Sequence, residues 1–340
     1  MLFARLVPSA LVLLLAATSP LAAAAQSDAA APTAAPSCAK AVAFVGTICT
    51  PAIGGRRPAI VLLGGSEGGD STAPLAREFA EHGSVAASVA YFGAPGLPPA
   101  LAEIPVETIT RAIDDLVRRD DVDPARLSIF GISKGGELAL LTASGDARIS
   151  KVVAVVPSPY AWQDVPRGAS DPAVSSWTRH GKQLPYVPYT EAIGRAYVEA
   201  LRRRIPLALR GGYVDASKDT GAVDRAMFPL ERIAGPVLFV AAGDDQIWDS
   251  AAQSARGLAC LSAHHHPYRD AIVEEPHAGH LFLLATPERP FTDAPFRDGL
   301  RLALGGTAEA NVVAAGDAWP KIAAFLESAG GAVSGNAGRP

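Results

Sequence analysis

The segment Leu127-Ser128-Ile129-Phe130-Gly131-Ile132-Ser133-Lys134-Gly135-Gly136 constrains the chain more than any other stretch. Mostly apolar residues of strand character run into Gly131-Ile132-Ser133-Lys134-Gly135, and Glu137-Leu138-Ala139-Leu140-Leu141 begins a helical pattern. A Gly-x-Ser-x-Gly run between a strand and a helix predicts a sharp turn that strains the serine backbone, with flanking glycines that let the turn close. Ser133 is therefore the candidate nucleophile. Its Oγ would stand above the sheet at a helix N-terminus, with the N–H of Lys134 beside it to receive negative charge. A structural Ser-Gly turn is the bland alternative; the flanking strand and helix weigh against it.

The 340 residues are 49% hydrophobic and 19% charged, with a formal net charge of −4. That composition suits an α/β protein with a sizeable core and offers no basic footprint for nucleic acid. At the N-terminus, Arg5 precedes the apolar run Leu11-Val12-Leu13-Leu14-Leu15, and Ala23-Ala24-Ala25 precedes Gln26. This is the three-part pattern of a secretory signal cleaved after Ala25. The run is short for a membrane span and ends in Ser19-Pro20, so no stable membrane insertion is expected after cleavage. The expected organisation is a signal peptide over 1–25, a disordered tether over 26–36, one domain over 37–330 and a flexible tail over 331–340. The mature protein would be periplasmic or secreted. Export would allow Cys38 and Cys49 to pair as a disulfide closing a short loop, where free thiols are the alternative. Cys260 is left over and expected to be buried, and no cysteine has zinc-site spacing.

Along the chain, Arg57–Leu63 reads as a buried strand that ends in Gly64-Gly65-Ser66-Glu67-Gly68-Gly69. That turn lacks a Walker lysine and the dinucleotide spacing; beside a nucleophile, Gly65 or Ser66 would supply the second N–H of an oxyanion hole. Helical spacing over Thr72–His82 and Pro105–Arg119 alternates with strands over Ser84–Phe92, Leu127–Ile132 and Lys151–Val156, and Asp121–Arg126 reads as a turn. Such alternation predicts a mostly parallel sheet covered by helices on both faces. Residues 157–232 lose regularity and read as a cap insertion shaping a pocket. Trp162 and Trp177 in it, with Trp248 beyond it, are the candidate substrate contacts. The run Arg202-Arg203-Arg204 reads as a solvated helix face. A strand over Gly235–Ala242 leads to Asp244-Asp245, and a strand over His266–Val273 leads to Glu274-Glu275-Pro276-His277-Ala278-Gly279-His280. His264-His265-His266 reads as polar surface, and Asp317–Ser328 as a final helix. Serine, then aspartate, then histidine is the α/β-hydrolase order, though spacing alone leaves open which aspartate serves.

Several segments together resemble the C-terminal catalytic domain shared by acyl-CoA thioester hydrolases and bile acid-CoA:amino acid N-acyltransferases, a dienelactone-hydrolase-like branch of the α/β-hydrolases. They are Leu62–Gly69, Ala90-Tyr91-Phe92-Gly93, Leu101–Pro105, Gly131–Leu138, Ser175-Ser176-Trp177, Asp244-Asp245-Gln246-Ile247-Trp248, Ala278-Gly279-His280, Leu304–Thr307 and Asp317–Pro320. The resemblance implies an α/β-hydrolase fold with Ser133, Asp245 and His280 as the triad, in preference to Asp244 and His277. It implies hydrolysis of a small-molecule ester or thioester through an acyl-enzyme, without metal or organic cofactor.

Two departures bear on substrate. Animal members carry a β-sandwich module ahead of the hydrolase domain, where only about Ser37–Arg56 is available here. Export also separates the protein from the cytoplasmic CoA pool. The acyltransferase branch uses cysteine at the elbow, so serine resembles the hydrolytic branch. Carboxylester or lactone hydrolysis, acyl transfer on the same triad, and a non-catalytic binding protein on this scaffold are the rival expectations.

Overall fold

A sheet of eight strands organises the chain, and most of its strands are apolar runs because both faces are covered. The computed structural model describes residues 35–165, 172–296 and 299–328. The expected signal peptide, the tether up to residue 34 and the tail lie outside the described residues, which all fall within one unit, Ala34–Pro340. The strands are β1 (Ser37–Lys40), β2 (Gly46–Thr50), β3 (Arg57–Leu63), β4 (Val85–Val89), β5 (Val122–Ile132), β6 (Ile149–Val155), β7 (Val237–Ala242) and β8 (Ala271–Glu275). Their order in the sheet is β1-β2-β4-β3-β5-β6-β7-β8. β2 pairs antiparallel with β1 and β4, and every other pairing is parallel.

Side-chain alternation along each strand divides the core in two. Val61 and Leu63 of β3, Ile129 of β5 and Phe239 of β7 face one cluster with α2 (Glu107–Val117), α3 (Lys134–Ala143) and Leu261 of α7 (Ser250–Ala263). Ile60 and Leu62, Phe130, and Leu238 and Val240 face the other, against α1 (Ala73–Glu81) and α8 (Ala308–Glu327). Fully burying such a side chain contributes about 1.5–3 kcal/mol, so β4 and β7, buried at every position, are anchored along their whole length. The fold is the expected α/β-hydrolase architecture. Among the described residues no helix is long and apolar enough to cross a membrane.

Several local expectations are corrected. β5 begins at Val122, inside the expected turn: Val122 is fully buried and pairs with Arg57, and the register then shifts before Leu127 meets Ala59. Asp123 caps that excursion through Ala125 N and Arg126. β8 begins at Ala271 rather than His266. The His266 ring is instead held in the preceding turn by Asp270 and the Ile233 carbonyl, with its side chain 1% exposed, so it is not polar surface. His264 and His265 are exposed. α8 starts at Ala308, nine residues before Asp317, because Thr307 caps it through Ala310 N. Cys260 is only partly buried. Cys38 and Cys49 face each other across β1 and β2 and form a disulfide.

The segment between β6 and β7 is more regular than its sequence pattern. It holds α4 (Glu191–Arg203), α5 (Arg210–Ala216) and α6 (Thr220–Ala226). Trp177–Arg179 pairs with Ile104–Pro105, so this segment is stitched to the chain just before α2. The Arg202–Arg204 run is exposed, and Arg202 and Arg203 pair with Glu199.

Candidate active site

Ser133 sits between β5 and α3 with φ 58° and ψ −121°, a strained conformation for a residue with a side chain. The two flanking glycines are required by close backbone approach. A Cβ on Gly131 would stand 2.0 Å from the Gly135 carbonyl oxygen, and one on Gly135 would stand 2.3 Å from the carbonyl oxygens of Leu63 and Gly64. The Ser133 N–H donates to Val155 O at 2.9 Å, which ties the turn to the neighbouring strand.

Three side chains from distant positions meet here in one hydrogen-bonded chain. Ser133 Oγ lies 2.8 Å from His280 Nε2, and His280 Nδ1 lies 2.8 Å from Asp245 Oδ2. With Nδ1–H donating to the carboxylate, Nε2 turns its lone pair toward the serine hydroxyl. Asp245 is fully buried, and its Oδ1 accepts from the N–H groups of Ile247 (2.9 Å) and Trp248 (3.2 Å). Those bonds offset the desolvation of the carboxylate. Trp248 meets the His280 ring edge-on at 5.6 Å and donates its indole N–H to Val156 O.

The neighbouring aspartate and histidine lie outside this hydrogen-bonded chain. Asp244 Oδ2 accepts from Gly306 N at 2.8 Å and Oδ1 from Gln246 Nε2 at 2.7 Å, so it fastens the loop after β7 to the turn before α8. His277 is exposed. Sequence reasoning missed the residues that hold these loops. Buried Asn311 accepts from Gly279 N at 2.8 Å and donates to Pro290 O at 2.9 Å, and His280 N donates to Leu304 O at 2.7 Å. Arg210 donates from Nη1 to the carbonyls of Gly243 and Asp245 and pairs with Asp249. Nothing in the sequence pattern signals Asn311. Tyr91 lay in a segment that carried the family resemblance.

At the turn after β3, Tyr91 Oη donates to the carbonyls of Gly64 (2.6 Å) and Gly65 (3.1 Å). Burial, with Glu67 and Glu137 nearby, pushes the Tyr91 hydroxyl well above its ordinary range, so it remains a donor. In a trans peptide the C=O and N–H point oppositely, so the Gly65 carbonyl turned to Tyr91 turns the Ser66 N–H away from it. The Gly65 N–H is already engaged by Glu67 Oε1 at 2.9 Å. Of the two expected donors, Ser66 is the one left available. The Lys134 N–H, at the first turn of α3, has no partner within the helix.

The Lys134 side chain does not face solvent. Its Nζ lies 3.0 Å from Glu137 Oε2 and 2.8 Å from Ser176 Oγ, over the face of Trp177. Glu137 also accepts from Trp177 Nε1 (2.6 Å) and Trp162 N (3.1 Å). Burial pushes the Lys134 ammonium below and the Glu137 carboxyl above their ordinary values, and the mutual attraction opposes both shifts. Trp162, Trp177 and Trp248 are all fully buried, and each indole N–H has a protein acceptor, Gln253 for Trp162. Glu231, Cys260 and His264 bring possible metal-binding atoms within 4.8 Å of one another and share no residue with the serine site.

The chain matches the family model described as BAAT / acyl-CoA thioester hydrolase C terminal over residues 104–332. The chain belongs to this family. Within it, the sequence is 27% identical over 291 residues to human acyl-coenzyme A thioesterase 1, covering 83% of this chain and 62% of that protein. It is 24% identical over 285 residues to mouse acyl-coenzyme A amino acid N-acyltransferase 1, covering 83% and 62%. The chain thus spans about three fifths of the length of these relatives. In structure it resembles a candidate dienelactone hydrolase from Klebsiella pneumoniae subsp. pneumoniae, with a TM-score of 0.50, 15% identity, and coverage of 83% of this chain and 92% of that one. That likeness is one of fold.

Proposed function

We propose that this BAAT / acyl-CoA thioester hydrolase family protein is an exported serine hydrolase that cleaves ester or thioester bonds of small acyl substrates. The hydrogen-bonded chain Ser133–His280–Asp245 carries this reading. As Ser133 Oγ attacks the carbonyl carbon, His280 Nε2 takes its proton, and Asp245 stabilises the imidazolium and holds its tautomer. The negative charge that develops on the carbonyl oxygen is met by the N–H groups of Lys134 and Ser66, each donor contributing on the order of 3 kcal/mol. His280 then protonates the departing thiolate or alkoxide. Water, deprotonated by His280, attacks the acyl-enzyme and releases the acid and free Ser133.

Thioester chemistry is favoured by the thioesterase relative, while export, read from the N-terminal pattern, favours substrates other than cytoplasmic CoA esters. The test is hydrolysis of p-nitrophenyl and acyl-CoA substrates by purified wild type and Ser133→Ala. A loss of roughly a thousandfold or more is expected. Wild-type turnover by Ser133→Ala would remove the serine from the mechanism.

The N-acyltransferase relative favours a second reading, acyl transfer to an amine or alcohol. Product analysis with added acceptors separates the two, since hydrolysis leaves only the free acid.

A further inference from the structure

Glu67 is an unbalanced charge beside the nucleophile. Its Oε1 accepts from Gly65 N (2.9 Å) and Ser71 Oγ (2.6 Å), while Oε2 has no donor among the described residues. No lysine, arginine or histidine among the described residues pairs with it, and the residue is exposed. The bare backbone of Gly65 separates it from the serine. A Cβ on Gly65 would stand 2.9 Å from Glu67 Oε2 and 3.2 Å from Ser133 Cβ, so the carboxylate and the nucleophile border the same small space. The carbonyl carbon of an acyl group on Ser133 Oγ would stand two bonds from the Ser133 Cβ that borders this space.

We propose, resting on the serine-hydrolase reading, that Glu67 is a specificity-determining residue that selects the acyl group by charge. It disfavours acyl chains that carry a carboxylate and favours those that present a hydrogen-bond donor or a cation close to the scissile carbonyl. Two like charges several ångströms apart in a half-solvated site repel enough to change relative rates by about tenfold. Because the carboxylate is exposed, the discrimination weakens as salt rises.

The experiment compares p-nitrophenyl hydrogen glutarate with p-nitrophenyl glutaramate, a pair alike in shape whose terminal group is an anion or a neutral amide. Values of kcat/KM, corrected for spontaneous hydrolysis, are taken for the full chain as wild type, Glu67→Gln, Glu67→Ala and Ser133→Ala. Wild type is expected to prefer the amide by about tenfold, and less at high salt. Glu67→Gln, which can still accept from Gly65 N and Ser71, is expected to bring the ratio near unity by raising the rate on the anion. Glu67→Ala should show the same loss of selectivity together with slower hydrolysis of both esters. An unchanged ratio in Glu67→Gln, with Glu67→Ala slowing both esters alike, would reduce Glu67 to a brace of the loop and overturn the proposal. Full activity in Ser133→Ala would instead sink the serine reading, and the selector with it.

Discussion

Lys134 and Glu137 form an ion pair one turn apart at the start of α3, sealed between the sheet and the segment that carries Trp162 and Trp177. Lys134, the residue after Ser133, is thereby fixed through its side chain, which leaves its N–H in a constant place. Removing one partner strands the other charge in the interior. Glu137→Gln is expected to destabilise the protein by about 3–5 kcal/mol in urea unfolding, because the Lys134 ammonium loses its counter-charge. Replacing both residues with apolar ones of similar volume should recover most of that stability without restoring the full rate of hydrolysis.

The two adjacent aspartates should separate cleanly by what each loses. Asp245→Asn is expected to lower kcat by about a thousandfold to ten-thousandfold, since an amide cannot hold the His280 tautomer as a carboxylate does. Asp244→Asn should stay within about tenfold of wild type and cost about 1–2 kcal/mol of stability, from weakened bonds to Gly306 N and Gln246. Steady-state kinetics and denaturant midpoints on the same preparations make the comparison.

Asn311 is fully buried and holds the loop that bears His280. Asn311→Ala leaves the buried Gly279 N–H without its acceptor, at a cost of about 1–3 kcal/mol. Its kinetic signature is expected in kcat with KM little changed. Asn311→Asp restores the acceptor but loses the donor to Pro290 O, and should recover part of the rate.

Asp70 predicts a feature of the acid limb. Burial alone would raise its carboxyl, but hydrogen bonds from Lys40, Ser88 and Thr47, with the charge of Lys40, hold it below its ordinary value of 3.8. A depressed native value means that its stabilising contribution is present above the unfolded value and is lost as pH falls through the native one. Asp70→Asn is therefore expected to be less stable than wild type near neutrality, with the difference shrinking below about pH 4. Urea midpoints across pH test the sign, and a difference that grew toward acid would contradict it.

What could be read in advance followed from burial on two faces. β3 and β7 are apolar runs bounded by turn residues, and Gly131 and Gly135 mark where backbones come together, so sheet, turn and serine were visible before any coordinates. The family resemblance supplied the choice of Asp245 and His280, which spacing had left open in part. Tertiary contact decided the rest. Lys134 and Glu137 have the spacing of an ordinary surface pair on a helix, and only the enclosing segment makes them interior. Asn311 sits in the first turn of α8 between Ala310 and Val312, with no periodic signal to mark it. α7 is rich in alanine and serine and has little apolar contrast between its faces, and His266 lay hidden in a polar triplet.

The disulfide between Cys38 and Cys49 joins the two strands at one margin of the sheet, at opposed positions. β2 is also held by β4, so a slip of a single residue on this ribbon would turn the side chains of β1 to the opposite face. The covalent bond forbids that slip. A four-residue strand at a sheet margin is otherwise free to peel away and expose the backbone of β2 to pairing with another chain. Oxidation of these two thiols thus gives the outer ribbon a single register and guards the margin against edge-to-edge association.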